Sequence, residues 1–166
     1  AHGVNALGLT GADMNVIRSH KRPVKDVDYG FVGDVDEVNA EFLGKLISEG
    51  VVPVMAPLTY NKQRHLLNTN DDTIAGETAK ALARLFDVTL IFCFEKKGVL
   101  RDENDDDSVI PHITRADFDA LVADGTIQGG MIPKLENSFQ AIDAGVSRVI
   151  ITQASAIDGT QGTTIC

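Results

Sequence analysis

Two hydrophobic periods alternate along this chain. Short, continuous apolar runs rich in Val and Ile read as buried strands, and longer stretches with apolar residues every three or four positions read as helices. "VNALGLTG" (4–11) reads as a short buried strand. "DYGFVGDV" (28–35) reads as a second, after the basic stretch "RSHKRPVK". "DEVNAEFLGKLISEG" (36–50) predicts a helix with Phe42, Leu43, Leu46 and Ile47 on one face and Gly50 as its stop. "VVPVMAPL" (51–58) is apolar throughout, and its length and β-branched content predict a strand buried in a parallel sheet. "TYNKQRHLLN" (59–68) reads as a polar hairpin tip, and "DDTIAGETAKALARLF" (71–86) as a second helix.

The pattern then repeats. "VTLIFCF" (88–94) is a buried strand that empties into the charged loop "EKKGVLRDENDDD" (95–107). A short helix is expected over "TRADFDALVA" (114–123). A third main helix is expected within "DGTIQGGMIPKLENSFQAIDAG" (124–145), with Leu135, Phe139 and Ile142 as its apolar face. "SRVIIT" (147–152) is a further strand, and "GTTIC" (162–166) reads as the last. Strands alternating with helices predict an α/β fold with a mostly parallel sheet.

Composition narrows this picture. The 166 residues are enough for one domain or two small lobes, with 43% hydrophobic and 23% charged residues. A formal charge of −9 argues against a general nucleic-acid or anionic-membrane binder. No apolar run approaches the length of a membrane span. The two cysteines form neither a disulfide framework nor a zinc spacing, which points to a reducing, cytoplasmic setting, with Cys93 expected in the core. "DENDDD" lacks the spacing of a calcium loop and reads as a solvated turn. None of His2, His20, His65 or His112 stands in a pattern that marks a base or a metal ligand. The opening, without an initiator Met, and the end in a strand lead us to expect that the front of a larger protein is missing.

Three stretches carry candidate chemistry. In "GGMIPKLE" the proline suits a first helical turn, which puts Lys134 at the positive end of the helix dipole, where a cation is unfavourable. A lysine there, together with free helix N–H groups, makes a receptor for an anion such as phosphate. A solvated lysine is the alternative on these residues alone. In "NTNDD" the residues Asn68, Asn70, Asp71 and Asp72 crowd one strand-to-helix turn. Asn70 or Asp71 can cap the helix, Asn68 and Asn70 can bond a polar substrate, and Asp72 can orient a lysine or a magnesium-bound phosphate. The turn after "FCF", with Gly98, suits a ligand rim at the carboxyl end of a strand, or simply an exposed lysine-rich turn. The GxxxxGK[ST] and GxGxxG fingerprints are absent.

Taken in order, "NTNDDTIAG…ALA", "KKGVL", "GGMIPKLE" and "GTTI", with "GLTGAD" near the start, resemble the carboxyl-terminal two-thirds of the acetylglutamate kinase family of the amino acid kinase superfamily. The resemblance implies a three-layer αβα sandwich around one largely parallel sheet. It implies part of an amino-terminal, acyl-amino-acid-binding lobe over residues 1–85 and a carboxyl-terminal ATP lobe over 86–166. It gives Lys134 the role of stabilising the transferring phosphoryl group, Asp72 that of holding catalytic lysines, and Asn68 that of contacting substrate. It lines the nucleotide with Glu95, Lys96, Lys97, Gly98, Val99 and Leu100, and with Thr126, Ile127 and Gln128. ATP and Mg2+ are the implied cofactors, with the ion held mainly by the ATP phosphates and by no metal site of the protein. A homo-oligomer acting on small molecules is implied.

The sequence departs from the family at Phe94 and Glu95, where Ser/Thr-Asp is usual, and at Asp71, where a small residue is usual. The family's first glycine-rich strand end with its lysine, and a later glycine-rich turn that holds the substrate, have no counterpart here. The 166 residues by themselves are therefore expected to be inactive and to self-associate. Three readings follow. The first is phosphorylation of the side-chain carboxylate of an N-acylated glutamate, acetyl or succinyl, in arginine biosynthesis. The others are a non-catalytic nucleotide-binding or regulatory module and another amino acid kinase.

Overall fold

The computed structural model describes residues 2–158 and 160–166. The chain folds as two compact units, Ala1–Leu85 and Phe86–Cys166. The first contains β1 (Ala6–Leu9), β2 (Ile17–Lys21), β3 (Gly33–Val38), α1 (Ala40–Ser48), β4 (Val52–Met55), β5 (Leu58–Tyr60), β6 (Leu66–Asn68) and α2 (Asp71–Leu82). Parallel β1 and β4 form one sheet, and a second runs in the order β3-β2-β5-β6. The second unit contains β7 (Thr89–Phe94), β8 (His112–Ile113), α3 (Arg115–Ala123), α4 (Met131–Asp143), β9 (Arg148–Gln153) and β10 (Thr163–Ile165). Its sheet runs β7-β9-β10-β8.

The chain is thus mixed α/β with parallel-rich sheets. Its pairing is more varied than one largely parallel sheet. Among the described residues four strand pairs are parallel, and β2–β3, β5–β6 and β9–β10 are antiparallel. The short links of the β2–β3 and β5–β6 hairpins leave no room for the crossover a parallel pair needs.

The core of the first unit gathers Leu9, Val16, Ile17, Leu43 and Ile74, with Phe42, Leu46, Met55 and Leu82 packed against it. In the second unit Leu135, Phe139 and Ala141 of α4 are buried, and the Phe139 ring lies 5.6 Å from Phe118 of α3. Each fully buried Leu, Ile or Phe contributes about 1.5–3 kcal/mol by leaving water.

Several expectations need correction. The first half of the basic stretch is a strand: Ile17 and Ser19 of β2 point inward, while Arg18 pairs with Glu37 (2.7 Å), His20 with Asp36 (2.6 Å) and, just past the strand, Arg22 with Asp34 (2.6 Å). Acids read as a helix start therefore belong to β3, which begins only at Gly33, and Asn39 caps α1 through Phe42 N (3.0 Å). Of β1 only Leu9 is buried, and in β4 Val52 and Val54 are 48% and 55% exposed. These strands cover one face only, with Leu9 and Met55 on the core side. Cys93 is exposed, because β7 is an edge strand and Cys93 faces away from its buried neighbour Phe92. α4 starts at Met131, which makes Pro133 its third residue; the missing N–H still falls among the unpaired first four.

Candidate functional site

The β6–α2 turn presents the first cluster. Between the asparagines, Thr69 is 1% exposed and its hydroxyl bonds that of Thr59, itself 0% exposed, at 2.8 Å. Its N–H donates to Pro57 O at 3.0 Å. Thr69 thus points inward, and its neighbours Asn68 and Asn70 lie exposed on the other side of the backbone. Gly33 closes against this pair. A Cβ there would stand 2.8 Å from Thr69 Oγ1 and 2.9 Å from Leu67 Cβ. Asn70 is the cap of α2, its Oδ1 accepting from Thr73 N (3.0 Å), while Asp71 Oδ1 accepts from Asp72 N (3.0 Å). Asp72 is half-buried in the first turn of α2.

The second unit holds a pocket of about 380 Å³ beyond the carboxyl end of β7, a size suited to a small organic ligand. Its apolar wall is Phe94, Val99, Leu100, Ile127 and Met131. Its polar groups are Lys96, Glu103, Asn104, Thr126 and Gln128, and Gly98 keeps one side low. An apolar slot with amide and hydroxyl groups at its edges fits a flat heterocycle, and Lys96 supplies a cation for an attached anion. Ile127 is 2% exposed, and the Gln128 amide donates to Gly125 O.

Of the residues expected along the nucleotide, the pocket gathers Lys96, Gly98, Val99, Leu100, Thr126, Ile127 and Gln128. Glu95 and Lys97 lie outside its lining. Glu95 is exposed, and Lys97 Nζ is held by Asp107 at 2.7 Å. The hydrogen bond and the charge of Asp107 raise Lys97 above its ordinary pKa, and Lys97 lowers Asp107 in return. Lys96 Nζ donates to Asp106 Oδ1 (2.9 Å) and to Glu103 O (3.3 Å). The acidic loop is therefore ion-paired to the turn, and its Glu103 and Asn104 reach the pocket. Nothing in the sequence marks Glu103 and Asn104, whose loop has the composition of a solvated turn, and no motif gives Phe94 or Met131 a place in a pocket. A loop that folds back on its own lysines leaves no periodic signal.

Lys134 is the fourth residue of α4 and is half-buried. Its ammonium lies 4.9 Å from the centre of the Phe92 ring and 5.8 Å from that of Phe94. Two aromatic faces offset the unfavourable helix end, since a cation over a ring gains about 0.5–2 kcal/mol and the dipole costs about 0.3–1 kcal/mol. Among the described residues no group of three or more His, Cys, Asp or Glu is placed to hold a metal ion. None of the described helices is long and apolar enough to cross a membrane.

The profile of the amino acid kinase family matches residues 1–153. The acetylglutamate kinase of Bacteroides thetaiotaomicron is 76% identical over 99% of this chain, which spans 64% of that protein's length. Among solved structures, smu.665 from Streptococcus mutans UA159 superposes with a TM-score of 0.78 at 30% identity, covering 98% of this chain and 61% of that one. The N-acetylglutamate synthase of Neisseria gonorrhoeae shares the fold, with a TM-score of 0.81 at 18% identity over 100% of this chain and 38% of its own. With its strand-end pocket, its helix-start lysine and a family match across nearly its whole length, the chain belongs to the amino acid kinase family.

Proposed function

We propose that the protein carrying this chain transfers the γ-phosphoryl group of ATP to the side-chain carboxylate of N-acetyl-L-glutamate, a step of arginine biosynthesis in the cytoplasm. The observation that carries this reading is the 76% identity to an acetylglutamate kinase over almost all of this chain. The pocket after β7 supports it, because its apolar walls suit a nucleobase and Lys96 suits a phosphate. In this reading residues 86–166 bind ATP, and residues 1–85 contribute to the acyl-amino-acid site through Asn68 and Asn70. Lys134 stabilises negative charge on the transferring group, and Asp72 has the role of holding catalytic lysines. Phosphoryl transfer is mostly positioning and charge stabilisation, so it needs no nucleophilic side chain. Mg2+ arrives on the ATP phosphates. The exposed valines of β4 support a homo-oligomer.

The test is ADP release by the protein carrying this chain, with ATP and Mg2+, in the presence of N-acetylglutamate, N-succinylglutamate or free glutamate. Turnover is expected with N-acetylglutamate and at least about tenfold less with the other two. A preference for succinyl or free glutamate, or ATP binding without turnover on any of them, overturns the reading.

A further inference from the structure

Thr163 lies in the "GTTI" segment and has no role in the chemistry above. It is nevertheless 0% exposed, and both hydrogen-bonding functions of its hydroxyl are engaged. Oγ1 accepts from Val99 N at 2.8 Å and donates to Ile110 O at 2.7 Å. Val99 and Leu100 form an apolar wall of the pocket, and the same turn is tied to Ile110 N through Val99 O (2.8 Å). Gly98 lies directly on the hydroxyl. A Cβ at that position would stand 2.8 Å from Thr163 Oγ1 and 2.9 Å from Val109 Cγ1. The anchor itself sits within the sheet. β10 pairs with β9, Thr163 opposite Ile151. Gly162 has φ +112°, and an added Cβ would meet the Ile151 carbonyl oxygen and stand 2.8 Å from Thr152 Cβ.

A buried N–H must find an acceptor, and Val99 N–H finds this one. Without the hydroxyl, both that N–H and the Ile110 carbonyl lose a partner, and the turn must move to recover them. We infer that Thr163 is a positioning residue that holds the Gly98–Leu100 wall in place, so that nucleotide affinity depends on its hydroxyl while affinity for the phosphoryl acceptor does not. The inference rests on the proposed function, since it takes the pocket as the nucleotide site.

The experiment compares the parent protein with Thr163→Val and Thr163→Ser. It measures the Kd for MgATP by calorimetry, KM for ATP and for N-acetylglutamate, and the thermal transition. Thr163→Val keeps the shape and is expected to raise both ATP constants about tenfold or more, with the acceptor KM within about twofold. Thr163→Ser keeps the hydroxyl and should return the ATP constants to within about threefold of the parent. A parent that does not bind MgATP overturns both the proposed function and this inference. A parent that binds, with a Thr163→Val variant that binds equally well, overturns this inference alone. So do ATP and acceptor constants that rise in step, because that marks a general loss of structure. If Thr163→Val fails to fold, Thr163→Cys takes its place, since a thiol keeps the side chain's size and some polarity while accepting more weakly from Val99 N–H. The same split between the ATP and acceptor constants supports the inference, and its absence overturns it.

Discussion

Lys134 and Asp72 carry the proposed chemistry, and each stands beside a residue with a plainer task. The half-buried Lys134 ammonium over Phe92 and Phe94 is a placed charge, unlike a lysine in open solvent. Replacing Lys134 by Ala is expected to lower kcat by roughly 10²–10³, the effect of removing one preorganised charge donor, with a smaller change in KM for the amino acid. A rate within about threefold of the parent would sink this role. At the head of α2, Asn70 accepts the cap bond and the exposed Asp71 accepts its neighbour's N–H. Asp72→Asn is therefore expected to impair turnover and Asp71→Ala to leave it intact. Asn70→Ala should cost about 0.5–2 kcal/mol in a denaturation curve through the lost cap. Equal loss of turnover in both aspartate variants would contradict the assignment.

At the scale of elements, the β6–α2 turn is held by a packing lock. Gly33 of β3 approaches the Thr59–Thr69 hydroxyl pair so closely that no Cβ fits without a shift. Gly33→Ala is expected to destabilise the protein by about 1–3 kcal/mol, as overpacking does. Because the turn carries Asn68 and Asn70, KM for the amino acid should rise more than KM for ATP. Equal changes in both would show the turn to be mere scaffold. α3 offers a pH test. Thr114 caps it, and Asp117 closes a capping box by accepting from the Thr114 hydroxyl (2.6 Å) and N–H (2.9 Å). These bonds hold Asp117 below its ordinary pKa. A carboxyl lowered on folding stabilises above its unfolded pKa, and the contribution is lost as pH falls through the folded value. The parent should therefore be more stable than Asp117→Asn at pH 7, and the gap should close below about pH 4. Urea midpoints from pH 7 to 2.5 check this, and a gap that stays constant contradicts it.

At the scale of the molecule, part of the exposed apolar surface of the described residues lies on strands whose composition suggested burial. β1 and β4 place Ala6 beside Val52 and Gly8 beside Val54, all four exposed, while Leu9 and Met55 meet the core on the opposite face. Patches of this kind favour association. The purified 166-residue chain is expected to self-associate in sedimentation experiments, and a Val52→Lys/Val54→Lys variant is expected to weaken that association. A parent that sediments as a monomer at tens of micromolar would rule this face out as the cause.

The amino-acid sequence by itself determined the four helices and several of their caps and stops. α1, α2, α3 and α4 fall within the stretches whose period predicts them, Asn70 caps the helix it precedes, and Gly50 ends α1 at φ +74°. These are interactions over a few residues, so a local pattern records them. It also marked the turns that the structure builds into a strand-end pocket and an asparagine-bearing helix start. Only the tertiary structure decided that the first half of a basic stretch is a strand, because its cations are answered by acids 12 to 19 residues away on β3, as with Arg22 and Asp34 or Arg18 and Glu37. It alone decided that the acidic loop folds back onto Lys96 and Lys97, and that Cys93 and one face of β1 and β4 point outward. The bond from Val99 to Thr163 spans 64 positions. No period or cap connects residues so far apart. Their meeting is set by which faces pack and which buried polar groups must find partners.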